Sequence, residues 1–250
     1  MREDGPRTVL SVRGEARRVV APDAVAIHFA VTALADSKGA AMNAVVTMLA
    51  EVTAAFAAMT GEVLTVESER AALTWSTQSI HTERQQLHDK MTGEHGPTGR
   101  HHAYAYAVAV VRDFALLERV EAALTRHDTT DIHSVSWSVD HDNPAWALVR
   151  ADAIQAALRQ GRDYASALGG SVVSVDHVAD AGLLGAEAPL SGPLYSAVEV
   201  AGVGQAGGPS LDPVPQTLTA VIEARLSATI APLPPPDAID GGQRANTRPS

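Results

Sequence analysis

The residues best suited to chemistry in this sequence are five histidines that crowd one polar stretch. They are His81, His88, His95, His101 and His102, with Glu83, Asp89 and Glu94 between them. Three imidazoles and a carboxylate could hold zinc or nickel if the stretch folded back on itself as a hairpin. Its spacings of seven, seven and six residues match neither H-x-x-x-H nor H-x-H. These five histidines are therefore the metal-site candidates, and the alternative is a solvated polar hairpin.

A second group of polar residues surrounds Trp137. His133 and His141 flank it, and several aspartates lie nearby, so a histidine–carboxylate pair could act as a general base. Surface histidines beside turn aspartates are the simpler interpretation. The alternating serines of this segment lack the G-x-S-x-G pattern of a nucleophile elbow. We therefore assign no catalytic residue.

The glycines at 202, 204 and 207 superficially resemble a dinucleotide-binding loop. That motif must follow a strand and open a helix, whose N-terminus holds the phosphates. Here Pro209, Pro213 and Pro215 follow and prevent a helix from forming. The segment is better interpreted as a flexible loop, and no cofactor is expected.

Composition excludes several classes of protein. The formal net charge is −10 and the sequence pI is about 5.4, whereas nucleic-acid binders usually present a basic face. The chain contains no cysteine, which rules out disulfides, thiolate zinc sites and cysteine nucleophiles. Aromatic residues make up only 4% of the chain, so the core must be built from small side chains.

The N-terminal sequence leads directly into strand residues, with no apolar segment or cleavage site of a signal peptide. No uninterrupted apolar run approaches the roughly 18–20 residues of a membrane span. The sequence therefore predicts a cytoplasmic protein with no membrane span.

Periodicity predicts the elements that position these residues. Alternation predicts strands over the following ranges: 7–20, 23–35, 63–83, 102–111, 133–139, 171–179 and 217–230. Steps of three and four predict a helix over 41–59, and a shorter helix follows Asp113. Asn143 as N-cap, Pro144 at the first position and Gly169-Gly170 at the end frame the clearest helix. Its predicted apolar stripe is Ala147, Ala151, Ile154, Leu158, Gly161, Ala165 and Leu168.

This order of elements predicts an α+β fold, with antiparallel strands backed by two or three helices and two similar sub-lobes as a further option. We expect one domain over residues 7–230. Within it, residues 181–215 form a long flexible loop or arm, rich in Gly, Pro and Ala. Residues 231–250 carry four prolines near their start and are expected to be a disordered tail.

Four segments together carry a resemblance to a known family. They are the opening strands with Val12-Arg13-Gly14-Glu15-Ala16 and Ala21-Pro22-Asp23-Ala24; the strand His102–Val111 with Tyr104 and Tyr106; the helix from Arg150 through Tyr164 to Leu168-Gly169; and Pro213-Val214-Pro215 before the last strand. In order and spacing this pattern resembles the SIMPL-domain family of bacteria, long classed as a domain of unknown function. The resemblance spans roughly residues 7–230.

The resemblance implies an α+β fold, a tendency to self-assemble, and an association with envelope or oxidative-stress functions in bacteria. Many bacterial relatives carry a signal peptide, which this sequence does not show. No catalytic residues carry over. We therefore expect a non-enzymatic protein that forms a homo-oligomer or binds a protein partner and has a stress-related role. The alternatives are a metal-binding protein or metal-dependent enzyme using the histidines of 81–102, and a small-molecule binding module.

Overall fold

The computed structural model describes residues 7–60, 71–88, 95–184 and 211–231. Within these ranges the strands are β1 (Arg7–Val20), β2 (Ala24–Ala35), β3 (Leu73–His88), β4 (His95–Val111), β5 (Thr130–Ser138), β6 (Ser171–Asp180) and β7 (Gln216–Thr229). The helices are α1 (Lys38–Thr60), α2 (Leu117–Thr125) and α3 (Ala145–Ala167), with a 3-10 turn at Phe114–Leu116 before α2. Two antiparallel sheets and three helices confirm the predicted α+β class.

The chain divides into two units. Among the described residues, the α3 unit comprises 7–18, 144–184 and 218–231, and the α1 unit comprises 19–60, 71–88, 95–143 and 211–217. Strands β1 and β2 belong to different sheets, so the turn between them does not close a hairpin. The predicted arm 181–215 and tail 231–250 fall largely outside the described residues, and the domain boundaries stay a prediction.

The sheet of the α1 unit has the strand order β3-β4-β2-β5. Strands β3 and β4 form a long antiparallel hairpin whose register runs from Leu73↔Val111 to His88↔His95. Helices α1 and α2 contribute to the apolar core with one face of this sheet. Phe29 and Phe56 meet there edge to face, with ring centroids 6.2 Å apart. Helix α1 begins after Ser37, whose Oγ accepts a hydrogen bond from the Ala40 N–H at 3.2 Å.

Asp23 fastens the start of β2 to the segment that follows β5. Its Oδ2 accepts hydrogen bonds from the Asp140 N–H and from the Asn143 Nδ2, both at 2.8 Å. Arg112 donates to Asp140 from the end of β4 at 2.6 Å. The side chain of Asn143, predicted to cap α3, is therefore bonded to Asp23, and Pro144 occupies the N-cap position of that helix.

Within the described ranges, α1 is long and apolar enough to cross a membrane by length and composition alone. Such a helix is weak evidence, because the core helices of soluble proteins pass the same test. Val45, Val52 and Phe56 of α1 are buried in the core of the unit. The absence of a membrane span stays a prediction.

The sheet of the α3 unit has the order β1-β7-β6. The buried stripe of α3 is Val149, Ala153, Ala157, Gly161 and Ala165. The predicted stripe was wrong except for Gly161 and Ala165. The buried residues recur at every fourth position, not at alternating steps of three and four. Helix α3 ends in a Schellman motif, in which the Gly170 N–H donates to Ala165 O at 2.8 Å and Gly169 has a φ of 69°.

Helix α3 and β1 approach each other so closely that Gly14 has no room for a side chain. A Cβ placed there would lie 2.0 Å from Ala153 O and 2.6 Å from Ala157 N. Both atoms belong to the helix backbone, which moves only if the whole helix shifts. The close contact therefore requires glycine on the strand opposite alanine on the helix.

We predict that Gly14→Ala lowers the free energy of unfolding by about 1–3 kcal/mol, because the added methyl overpacks this contact. Urea denaturation of both proteins measures the change. The matched control is Gly39→Ala in the first turn of α1, where an added Cβ meets nothing within 4 Å. That variant should be neutral or more stable by about 0.4–1 kcal/mol. Equal midpoints for Gly14→Ala and wild type would contradict the close contact.

Candidate functional site

The outer face of the α1-unit sheet is created by the period-two pattern of β4. Ala103, Ala105 and Ala107 point toward the helices and are almost fully buried. Because successive side chains of a strand point to opposite faces, His102, Tyr104 and Tyr106 lie on the other side. The large rings of this strand are therefore directed away from the core.

Five aromatic and imidazole rings from three strands contact one another on this outer face. We call this cluster the ring row: His102, Tyr104, His81, Tyr106 and His133. The His81 ring centroid lies 5.0 Å from that of Tyr104 and 5.6 Å from that of Tyr106, and the ring planes are within 22° of parallel. His133 on β5 reaches Tyr106 at 5.6 Å. The ring row thus extends from β3 to β5.

A small residue on β2 allows the ring row to cross the sheet. Ala30 pairs with Tyr106 on one side and with Asp131 on the other. A register irregularity in the β2–β5 pairing at His28/Phe29 coincides with His133 on β5. Tyr106 and His133 therefore meet from either side of Ala30, which is only 1% exposed.

Tyr104 is the polar centre of the ring row. Its hydroxyl donates to Glu83 Oε1 at 2.7 Å and also contacts His102 Nδ1. A phenol has one proton, so a hydroxyl that donates to Glu83 accepts from the His102 Nδ1–H in the matching tautomer. Burial, followed by the hydrogen bond and the negative charge of Glu83, raises the pKa of Tyr104 to about 12. The phenol therefore stays protonated at neutral pH.

Hydroxyl groups and carboxylates surround the ring row. Ser76, Ser79, Ser134 and Ser136 are exposed on the flanking strands. Besides Glu83, Asp131 lies at the β5 position that pairs with Ala30. Further along β4, Arg100 is engaged by Asp36, with 3.6 Å between Nε and Oδ1. The face therefore offers rings and hydrogen-bond acceptors, and Arg100 further along β4 is already paired.

The predicted metal candidates separate into three groups. His81 and His102 both belong to the ring row, whereas His101 lies on the opposite face of β4 by alternation. His88 and His95 pair in register at the end of the β3–β4 hairpin, but their side chains fall outside the described residues. Among the residues that the structure describes, no three His, Asp or Glu side chains converge on a metal-sized site. The metal hypothesis stays a prediction.

The other motifs separate in the same way. His133 joins the ring row, and Ser134 and Ser136 are exposed beside it without a nucleophile elbow. Trp137 packs instead toward the core, edge to face with Phe114 at 5.4 Å between centroids. In the sequence, His133 and the serines form one group and His81 and His102 another. The alternation of residues 102–110 was the signal that could have joined them, because it places two tyrosines beside His81.

The sequence profile of the SIMPL family, described as a protein of unknown function (DUF541), matches residues 10–226. The chain belongs to the SIMPL family. No curated protein matches its sequence. Among solved structures, aminopeptidase PepT from Bacillus cereus ATCC 10987 is similar over 58% of this chain and 36% of its own, with 12% identity and a TM-score of 0.24. A likeness this low carries no argument about fold or activity.

This SIMPL-family chain has a second exposed feature at β6, an edge of the α3-unit sheet. Val173, Val175 and Val178 are 52%, 48% and 48% exposed. Two register irregularities interrupt the pairing of β6 with β7. At the second, Asp176 accepts hydrogen bonds from Ser227 at 2.7 Å and Ser174 at 2.9 Å, which lower its pKa. Strand β6 is thus an apolar edge carrying one carboxylate held by hydroxyls.

The α3 unit also carries an open groove of about 330 Å³ between β1 and β7, which Leu184 borders. Each of its charged groups has a hydrogen-bond partner. Arg13 donates to Glu223 at 3.0 Å, which holds the pKa of that carboxyl below its usual range, and Arg225 donates to Leu184 O at 2.8 Å. The groove is therefore lined by charged groups that already have hydrogen-bond partners.

We predict that Tyr104 titrates near pH 12, against 10.0 for an ordinary tyrosine. Replacing Glu83 with alanine removes the hydrogen bond and the negative charge, so the pKa of Tyr104 should fall toward its ordinary value. Carbon NMR of ring-labelled tyrosine measures both values. Tyr164→Phe on α3 is the assignment control, because it removes a tyrosine signal outside the ring row.

The raised pKa of Tyr104 also affects the stability of the protein at high pH. Between pH 10 and 12 the unfolded chain loses the proton of Tyr104 while the folded chain keeps it. The unfolded state then binds fewer protons, so the free energy of unfolding falls as the pH rises through this window. Tyr104→Phe should make denaturation less dependent on pH there. An unchanged slope would contradict the raised pKa.

Proposed function

We propose that this SIMPL-family protein acts without catalysis, through self-association, and that two copies pair along β6. The observation that carries the proposal is the edge position of β6 together with its three half-exposed valines. Among the described strands, β6 pairs only with β7. An edge strand of this kind presents unpaired backbone groups and apolar side chains to a further strand.

A second copy satisfies β6 without placing like charges opposite each other. In an antiparallel pair centred on Val175, that valine lies opposite its own copy and Val172 lies opposite Val178. Asp176 then lies opposite Ser174 of the second chain, not opposite Asp176. Cross-strand pairs of β-branched residues each contribute roughly 0.2–1 kcal/mol. The sequence of β6 is therefore compatible with pairing to itself.

The irregularities of β6 act against unlimited association. Bulges bend and twist a strand, and a charged residue on an edge disfavours pairing. Pairing about a two-fold axis uses the same edge on both copies and is complete at two chains. We therefore expect a closed dimer, or a larger assembly built from such dimers, and not a fibre.

The other functional hypotheses remain predictions. A metal-binding role would use the histidines of 81–102, of which His81 and His102 already share Tyr104 as a neighbour. A small-molecule module would use a described groove or the ring row. A stress-related role and a cytoplasmic location follow from sequence and family resemblance alone.

We predict that the untagged protein is dimeric, or a multiple of two, in native mass spectrometry, and that Val175→Lys shifts it to the monomer. Lysine on an edge strand opposes pairing by charge repulsion across the two-fold axis. The matched control is Val9→Lys, a 61% exposed position on β1 at the other edge of the same sheet. Spectra with and without chelator report bound metal in the same experiment.

A monomeric wild type would contradict the proposal. So would an assembly that survives Val175→Lys but is lost in Val9→Lys, because that result places the interface at β1. Circular dichroism of each variant separates loss of assembly from loss of fold.

A further inference from the structure

We propose that the ring row and Glu83 form a docking site for an arginine side chain presented by a partner protein. This inference concerns the α1 unit and does not depend on self-association through β6. It starts from the combination of stacked rings with a carboxylate at their border. A guanidinium can stack its flat face on such rings and donate its N–H groups to the carboxylate.

The geometry of the ring row suits a flat ligand. His81, Tyr104 and Tyr106 lie with their planes within 22° of parallel. His81 and His133 are exposed, while the two tyrosines are partly buried between them. A guanidinium is planar and weakly hydrated, so it stacks on aromatic rings more readily than a compact ammonium does. The exposed rings thus favour arginine over lysine.

Glu83 supplies the acceptor for the donors of such a group. Among the described residues Tyr104 donates to it, through Oε1. A carboxylate has about four lone-pair sites on two oxygens, so a single hydrogen bond leaves capacity for a further donor. Charge-assisted hydrogen bonds from guanidinium to carboxylate are short and roughly twice as strong as neutral ones. Glu83 can therefore hold a guanidinium that stacks on the neighbouring ring.

The negative charge of the outer face disfavours anionic ligands, which elsewhere also stack on aromatic rings. The outer face carries Glu83 and Asp131, Arg100 on β4 pairs with Asp36, and the whole chain has a net charge of −10. A phosphate-bearing ligand such as a nucleic acid would meet repulsion here, because its affinity depends on cationic side chains. A basic segment would be attracted and steered toward the face. Charge complementarity therefore indicates a cationic partner.

The composition of the face favours a protein over a free small molecule. Tyrosine offers a rigid contact area with a polar tip, and serine offers adaptable hydrogen bonding, a combination common in protein-binding surfaces. Ser76, Ser79, Ser134 and Ser136 flank the rings on both sides. These serines would contact the peptide backbone on either side of a docked arginine. A free guanidinium compound has no such backbone and would not contact them.

The test titrates the full-length protein with two charge-matched peptides, one with two arginines separated by glycine and one with two lysines in their place. Binding is followed by NMR signals of the tyrosine and histidine rings and by calorimetry. We expect the arginine peptide to bind with a dissociation constant of about 1 mM or tighter. The lysine peptide should bind at least about fivefold more weakly, because it lacks the planar fork.

The variant Glu83→Gln keeps the size of the side chain and removes its charge, and it should weaken the arginine peptide about tenfold. The control is Glu118→Gln in the first turn of α2, which removes the same charge from the helix side of the unit. Tyr106→Leu, which removes a ring without touching Glu83, should also weaken binding. Thermal unfolding of each variant confirms that the fold is kept.

Equal binding of the two peptides would overturn the proposal, since it would show attraction by net charge alone. Equal effects of Glu83→Gln and Glu118→Gln would do the same. Free arginine that binds as tightly as the peptide would replace the partner protein with a small-molecule ligand. Absence of ring-signal changes up to about 10 mM peptide would exclude the site.

Discussion

The period of two in β4 is the constraint on which the α1 unit and its candidate site both depend. Alanines on one side of the strand lie in the core with α1 and α2, and rings on the other side form the outer face. Strand β4 pairs with both β2 and β3, so its orientation determines theirs. A slip of one residue would bury Tyr104 and Tyr106 and expose the alanines. The same strand register therefore both buries the alanines in the core and places the ring row on the outer face.

Small residues allow close contacts between elements in both units. Gly14 and the alanines of α3 bring helix and strand together in the α3 unit, and Ala30 lets two rings meet across β2 in the α1 unit. Several of the few aromatic residues in the α1 unit fall into two groups. Phe56 contacts both Phe29 and Trp75 in or beside the core, while the two tyrosines of β4 face outward.

Much of the fold could be predicted from the sequence because the signals were local. Alternation predicted the bounds of β1, β2, β6 and β7 to within about one residue, whereas β4 begins seven residues before its predicted start; Gly169-Gly170 marked the end of α3. The buried face of α3 could not be predicted, because a helix so rich in alanine shows little difference between its sides. The close approach required by Gly14, which lies more than a hundred residues away, decides which alanines are buried.

The candidate site was less predictable, since it depends on pairings between distant segments. The crowding of five histidines directed attention to metal ligation, whereas the fold places His101 and His102 on opposite faces of β4 and joins His133 to Tyr106. The β2–β5 irregularity opposite His133 has no sequence signature that we recognised. Glu83 lay within the predicted cluster, but its partner proved to be a phenol, which only the register of β3 with β4 reveals.

The raised pKa of Tyr104 makes its phenol poorly suited to proton transfer near neutral pH. General acid–base catalysis is most efficient when the pKa of the catalytic group lies near the working pH. The pKa of Tyr104 is raised to about 12, so its proton is held by burial and by donation to Glu83 instead of being available for transfer. The same bond fixes Glu83 beside the rings, with its charge exposed to whatever approaches. A phenol that donates to a carboxylate in this way fixes the geometry of both side chains, as a rigid binding surface requires.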